Sequence, residues 1–161
     1  MWNVFKGNDI VVFAVTLEEN GARFYHTLGE KATDPAVKEL LQELEKQEWV
    51  HHKIYSDILR DLPPINAMET YSGEYLEYVQ TLVNGHVFNL SDSQKLAEEL
   101  DNEEKALEMA LRIEKDSVLF FYELQKIVPR AYYDTVGKII EEEQSHVHRI
   151  SQLLENIRKG K

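Results

Sequence analysis

The chain has 161 residues, no cysteine and a formal net charge of −11. That length suits one domain with one sizeable core. The missing thiols exclude disulfides, thiolate catalysis and Cys-ligated zinc or iron–sulfur sites, and an acidic surface argues against nucleic acid, whose phosphates need a basic partner.

No run of eighteen apolar residues is present to span a membrane. The segment Met1-Trp2-Asn3-Val4-Phe5-Lys6-Gly7 lacks the charged region and cleavage site of a signal peptide, so a cytoplasmic protein is expected. A first long helix is read over about Asn8 to Lys31. Val11, Ala14, Glu18, Gly21, Tyr25 and Leu28 form one stripe, which Phe13, Leu17 and Phe24 widen into a core face. Asp34-Pro35 starts a second helix, with Asp as N-cap and Pro at the first helical position. Val37, Leu41, Leu44, Glu48, His51, Tyr55 and Ile58 then step by four and three, the seam of a helical bundle. Leu62-Pro63-Pro64 stops it.

Residues 62 to about 100 break the pattern. Tyr75, Leu76, Val79 and Leu82 predict a short helix from about Ser72 to Asn84, ended by Gly85. Ser91-Asp92-Ser93-Gln94 has capping-box form and opens another short helix. This stretch is too long for a plain helix–helix loop and suits a crossover along a bundle. Asp101-Asn102-Glu103-Glu104 repeats the capping-box form before a third long helix, whose stripe is Leu107, Ala110, Glu114, Ser117, Phe121, Leu124 and Val128. Pro129 ends it and can start a fourth, running to about Arg158, with the stripe Val136, Ile139, Glu143, His146, Ile150, Leu153 and Ile157. The fold expected is an all-α four-helix bundle with a long crossover between its second and third long helices. It comprises a hairpin over about 8–61, a crossover over about 62–100 and a hairpin over about 101–158, all in one domain.

Two of these seams carry Glu-x-x-His: Glu48 with His51, and Glu143 with His146. Three residues apart on a helix is one face, one turn up. Chance alone supplies roughly one such pair in a chain of this composition, so the pair means little by itself. The spacing between the pairs means more. Glu48 and Glu143 are 95 residues apart, as are His51 and His146, and Glu18 and Glu114 are 96 apart. Glu18-x-x-Gly21-x-x-Phe24-Tyr25 also parallels Glu114-x-x-Ser117-x-x-Phe120-Phe121. The chain reads as one helical hairpin used twice. A pseudo-two-fold axis between the copies would gather four glutamates and two histidines at mid-bundle.

An isolated carboxylate in an apolar seam costs several kcal/mol and usually protonates instead. Four of them in one place, with no Lys or Arg on any stripe, need another counter-charge. Two divalent cations balance four carboxylates, and two neutral imidazoles complete the set. Glu18 with His51 would end one metal, Glu114 with His146 the other, and Glu48 and Glu143 would bridge. Oxygen-rich ligation with few imidazoles suits iron or manganese better than structural zinc.

One Glu from each of two helices plus Glu-x-x-His from each of the other two is the donor set of di-iron and di-manganese carboxylate bundles. Over about 8–61 and 101–158 the residues resemble the ferritin-like superfamily, and within it the rubrerythrin-like proteins. The resemblance implies the metal ligands Glu18, Glu48, His51, Glu114, Glu143 and His146. It implies two iron ions as cofactor, with manganese or a mixed pair as alternatives. It also implies an oxidoreductase acting on peroxide or dioxygen. Rubrerythrins proper carry a further Glu one turn after the third-helix ligand, where this chain has Ser117, and that Glu takes part in a redox-linked shift of one iron. They also carry a Cys-ligated rubredoxin site. Without cysteine, this chain would take electrons from a separate donor protein.

Tyr25 and Tyr55 lie on the seams and read equally as outer partners of a ligating carboxylate or as core aromatics. His26, His52, His86 and His148 are read as surface or solvated, and Glu45, Glu141 and Glu142 as a solvated face. Trp2 and Trp49 are read as packing or oligomer contacts. Two other functions are carried beside the enzyme, which is expected as a homodimer. One is a ferritin-type iron oxidiser and store, against which stands the absence of a fifth helix after Arg158. The other is a non-catalytic bundle whose metals only neutralise the core.

Overall fold

In the computed structural model residues 2–160 are described; Met1, Lys161 and the Leu90 side chain lie outside that set. The four long helices are α1 (Asp9–Lys31), α2 (Pro35–Asp61), α7 (Glu103–Ile127) and α8 (Tyr133–Lys159). Between α2 and α7 run four short ones: α3 (Ala67–Thr70), α4 (Gly73–Gly85), α5 (Val87–Leu90) and α6 (Ser93–Glu99). No strand occurs among the described residues. The architecture is an all-α helical bundle, as the periodicity predicts, and ferritin-like, as the resemblance implies. No described helix is long and apolar enough to cross a membrane.

Helices α2, α6 and α7 start where a side chain satisfies free backbone N–H groups. Asp34 Oδ1 accepts from the amides of Ala36 and Val37 at 2.8 and 3.3 Å, with Pro35 at the first helical position. The two expected capping boxes are displaced by one residue. Asp92, not Ser91, caps α6 by accepting from Lys95 N at 2.8 Å, and Asn102, not Asp101, caps α7 by accepting from Lys105 N at 2.8 Å. In each case the Asx side chain reaches the amide three residues on, which fixes the helix start one position later. Gly85 is the last residue of α4, and His86 takes the C-cap in an extended conformation. Pro129 opens a 3₁₀ turn (Arg130–Tyr132), so α8 begins at Tyr133.

Each hairpin holds itself together: α1 packs chiefly on α2, and α7 on α8. The halves meet where α1 faces α7 and α2 faces α8. Phe13 meets Phe120 edge-on at 5.0 Å, and Tyr55 lies 5.3 Å from Phe121. The crossover is fastened where it runs into α7. Lys31 Nζ donates to the carbonyls of Ala97, Glu98 and Leu100 at the end of α6, and Glu103 Oε1 accepts from the Thr33 and Asp34 amides. A cation at exposed helix-terminal carbonyls is favoured by the helix dipole.

All residues of the first three predicted stripes are buried. The fourth drifts near its end: Leu154 is buried, while Leu153 and Ile157 are half-buried. A helix advancing 3.6 residues per turn slips off a strict seven-residue repeat, and α8 does so past Ile150.

Candidate metal centre

Glu18 comes from α1, Glu48 and His51 from α2, Glu114 from α7, and Glu143 and His146 from α8. All six converge at the middle of the bundle, and none is more than 5 % exposed. They form two overlapping donor sets. One oxygen or nitrogen from each of Glu18, Glu48, His51 and Glu143 lies within 4.8 Å of the others, and the same holds for Glu48, Glu114, Glu143 and His146. Glu48 and Glu143 belong to both. The imidazoles lie nearly parallel, 23° apart with centroids at 5.9 Å.

Both rings turn Nδ1 inward. His51 Nδ1 is 2.8 Å from Glu143 Oε1 and 3.6 Å from Glu18 Oε2. His146 Nδ1 lies 3.4–3.6 Å from oxygens of Glu143, Glu48 and Glu114. These are ion-pair distances without hydrogen-bond alignment: the two Nδ1 atoms, both Glu143 oxygens, Glu18 Oε1 and Glu48 Oε1 are buried without a hydrogen-bond partner. Buried polar atoms are nearly always satisfied. Six orphaned donor atoms aimed at one place fit a bound cation, and carboxylate-rich donors with two imidazoles fit iron or manganese.

The electrostatics say the same. Burial and the neighbouring Glu143 push the Glu18 and Glu48 carboxyls up, and push Glu114 up to about 8. Burial opposes charge on the imidazoles, yet the Glu143 and Glu18 carboxylates outweigh it and raise His51 to about 12. Glu114 and Glu143 likewise raise His146 to about 10. Glu143 is held well below the usual carboxylate range, its burial outweighed by Glu114, His146 and His51. Without a cation the cluster stays buried only by holding protons in its place, so metal uptake must release them.

The outer nitrogen of each ring is held by a residue that sequence periodicity did not single out. His51 Nε2 lies 2.5 Å from Glu142 Oε2, and His146 Nε2 lies 2.6 Å from Gln47 Oε1. Both partners can only accept there, so each Nε2 keeps a proton, and once the inner proton is released each Nδ1 presents its lone pair inward. Glu142, read above as part of a solvated face, is half exposed but bonded to the site. The repeat offered a signal, since Gln47 and Glu142 are 95 residues apart, each just before its hairpin's shared glutamate.

The two seam tyrosines differ. The Tyr25 hydroxyl donates to Glu114 Oε1, whereas the buried Tyr55 hydroxyl has no partner. Gly21 makes room for Glu48: a Cβ there would stand 2.5 Å from Glu48 Oε2. Ser117 is buried and lies 3.1 Å from His86 Nε2. His86 is therefore not a surface residue. It is 1 % exposed, wedged between Phe13 and Phe88, and its Nδ1 accepts from the Phe88 amide at 3.2 Å. Burial, reinforced by Arg112, lowers it to about 4. His26 is exposed, as expected, beside Glu45 and Glu30. His148 is exposed, His52 is half-buried against Trp49, and Trp49 itself is 40 % exposed.

A family model described as Rubrerythrin matches residues 9–106. The chain belongs to the rubrerythrin family. No curated protein and no solved structure matched it. The match spans Glu18, Glu48 and His51, while Glu114, Glu143 and His146 of this rubrerythrin-family chain lie beyond it and join the cluster through the fold. Family membership and the buried cluster together fit a di-iron protein.

Proposed function

We propose that the chain is a single-domain di-iron oxidoreductase that reduces peroxide or dioxygen with electrons from a separate donor protein. The observation that carries this reading is the pair of buried donor sets sharing Glu48 and Glu143. Glu18 and His51 would hold one iron, Glu114 and His146 the other, with the shared carboxylates between. When bound, the irons supply Lewis acidity and electrons for oxygen chemistry that no side chain here could perform.

The remaining work belongs to the chain. Glu142 and Gln47 hold the two imidazoles in the tautomer that faces inward. Tyr25 fixes one oxygen of Glu114. Packing of Phe13, Phe120, Phe121 and Tyr55 keeps the neighbouring core dry. Ser117, tied to His86, stands where rubrerythrins proper place a further carboxylate, so the ligand set is six residues rather than seven.

Metal-free protein loaded anaerobically with ferrous iron should take up two ions per chain. Adding peroxide should then produce ferric absorption with stoichiometric peroxide loss. A fully loaded sample that shows no spectral change and leaves peroxide intact overturns the activity. Failure to take up iron or manganese overturns the centre itself.

A further inference from the structure

The two halves present the same ligands, but they do not support them equally. The acceptor on His51 Nε2 is the carboxylate of Glu142 at 2.5 Å, whereas the acceptor on His146 Nε2 is the neutral amide oxygen of Gln47 at 2.6 Å. A carboxylate draws more of the N–H proton's positive charge than an amide does. The inward nitrogen of His51 is thereby made the stronger electron-pair donor. A second difference works in the same direction. Glu114 spends part of its charge on the Tyr25 hydroxyl, while Glu18 Oε1 has no hydrogen-bond partner. Other features of the two positions match: both imidazoles are buried, both turn Nδ1 inward, and both positions share Glu48 and Glu143.

Resting on the dinuclear reading, we infer that the two metal positions are unequal: the one built by Glu18 and His51 binds a divalent cation first and more tightly, with Glu142 as the positioning residue that sets the difference. Glu142 is 54 % exposed, so solvent and salt screen its charge. Its contribution falls at the lower end of the range for outer partners of metal-bound histidines, about tenfold in affinity.

The full metal-free chain should be titrated with Co²⁺. Two-step binding would not by itself separate the positions, because a second cation is always repelled by the first. The deciding readout is where the first ion sits, found by anomalous scattering from crystals grown with one equivalent of Co²⁺. In the unaltered chain cobalt should lie mainly beside Glu18 and His51. Glu142→Gln should weaken the first step in solution about tenfold and spread the cobalt over both positions. Adding Gln47→Glu to that variant should restore tight first-step binding, with the cobalt now displaced toward Glu114 and His146. An even distribution in the unaltered chain, or an unchanged first step in Glu142→Gln, overturns the inequality and leaves the dinuclear reading standing. Absence of cobalt uptake by the unaltered chain overturns both.

Discussion

The α1–α2 and α7–α8 hairpins carry the same chemistry at the same offsets but surround it differently. Each gives one glutamate from its first helix and a Glu-x-x-His pair from its second. Beside them, the first hairpin has Gly21, Tyr25, Gln47 and Tyr55 where the second has Ser117, Phe121, Glu142 and Ile150. Donor positions tolerate no drift, because each must reach the same small volume; their neighbours are free to diverge. The divergence is not idle, since Tyr25 and Gln47 of the first hairpin hold Glu114 and His146 of the second, and Glu142 of the second holds His51 of the first. Each half is finished by the other.

The largest effect tests whether the halves are joined through shared carboxylates. Glu143 stands 2.8 Å from His51 Nδ1 and 3.4 Å from His146 Nδ1, whereas Glu18 belongs to one donor set only. Glu143→Ala should abolish retention of both ions, a loss beyond the roughly 10–100-fold that outer hydrogen-bond partners contribute. Glu18→Ala should leave about half the metal, because the set of Glu48, Glu114, Glu143 and His146 stays whole. Elemental analysis after dialysis reads both. Equal losses in the two variants would break the distinction between shared and terminal ligands.

Next in size is a pH effect present in one half alone. His86 lies against Ser117; at the corresponding place in the first hairpin stands Gly21, which has no hydroxyl to offer. In the unfolded chain His86 binds its proton near the ordinary 6.5, but in the fold burial delays this to about 4. Between those values the unfolded state binds more protons, so stability falls as pH drops from 6.5 and levels off below 4. At 1.36 kcal/mol for each pH unit the loss is about 3 kcal/mol. Urea unfolding of the metal-free protein should therefore show a steeper acid loss than His86→Gln, by about that amount. Parallel curves would mean that His86 is free to protonate within the fold.

What could be read in advance follows from periodicity. The long helices and all six converging residues sit on seams, and each donor recurs 95 or 96 residues on. The misses lie where periodicity is silent. Glu142 and Gln47 are off their seams and reach the site only because the bundle turns His51 and His146 outward at Nε2. His86 sits between two short helices with no repeating stripe, and only its neighbours Val83, Val87 and Phe88 hinted at burial. The displaced caps of α6 and α7 show a further limit. Two adjacent polar residues compete for the cap, and only the three-dimensional path of the chain decides which side chain meets the amide.

The smallest change in stability should accompany a clear change in binding, and it separates the hairpins most sharply. Gly21 lies inside α1, where alanine is intrinsically better by about 1 kcal/mol. The added Cβ, however, would stand 2.5 Å from Glu48 Oε2 and 3.3 Å from its Cδ. Glu48 is flexible enough to swing aside, at an off-rotamer cost of about 0.5–1.5 kcal/mol. The two terms nearly cancel, so Gly21→Ala should leave the unfolding midpoint of the metal-free protein almost unmoved. Its metal affinity should nonetheless fall by about tenfold or more, because the displaced carboxylate serves both donor sets. Ser117→Ala, at the matching place in the other hairpin, adds no atom near a ligand and removes the hydroxyl that meets His86. It should cost about 1 kcal/mol of stability and leave metal affinity alone. If the alanine at position 21 binds metal as tightly as glycine, the close approach of α1 to Glu48 is not what holds that carboxylate in the centre.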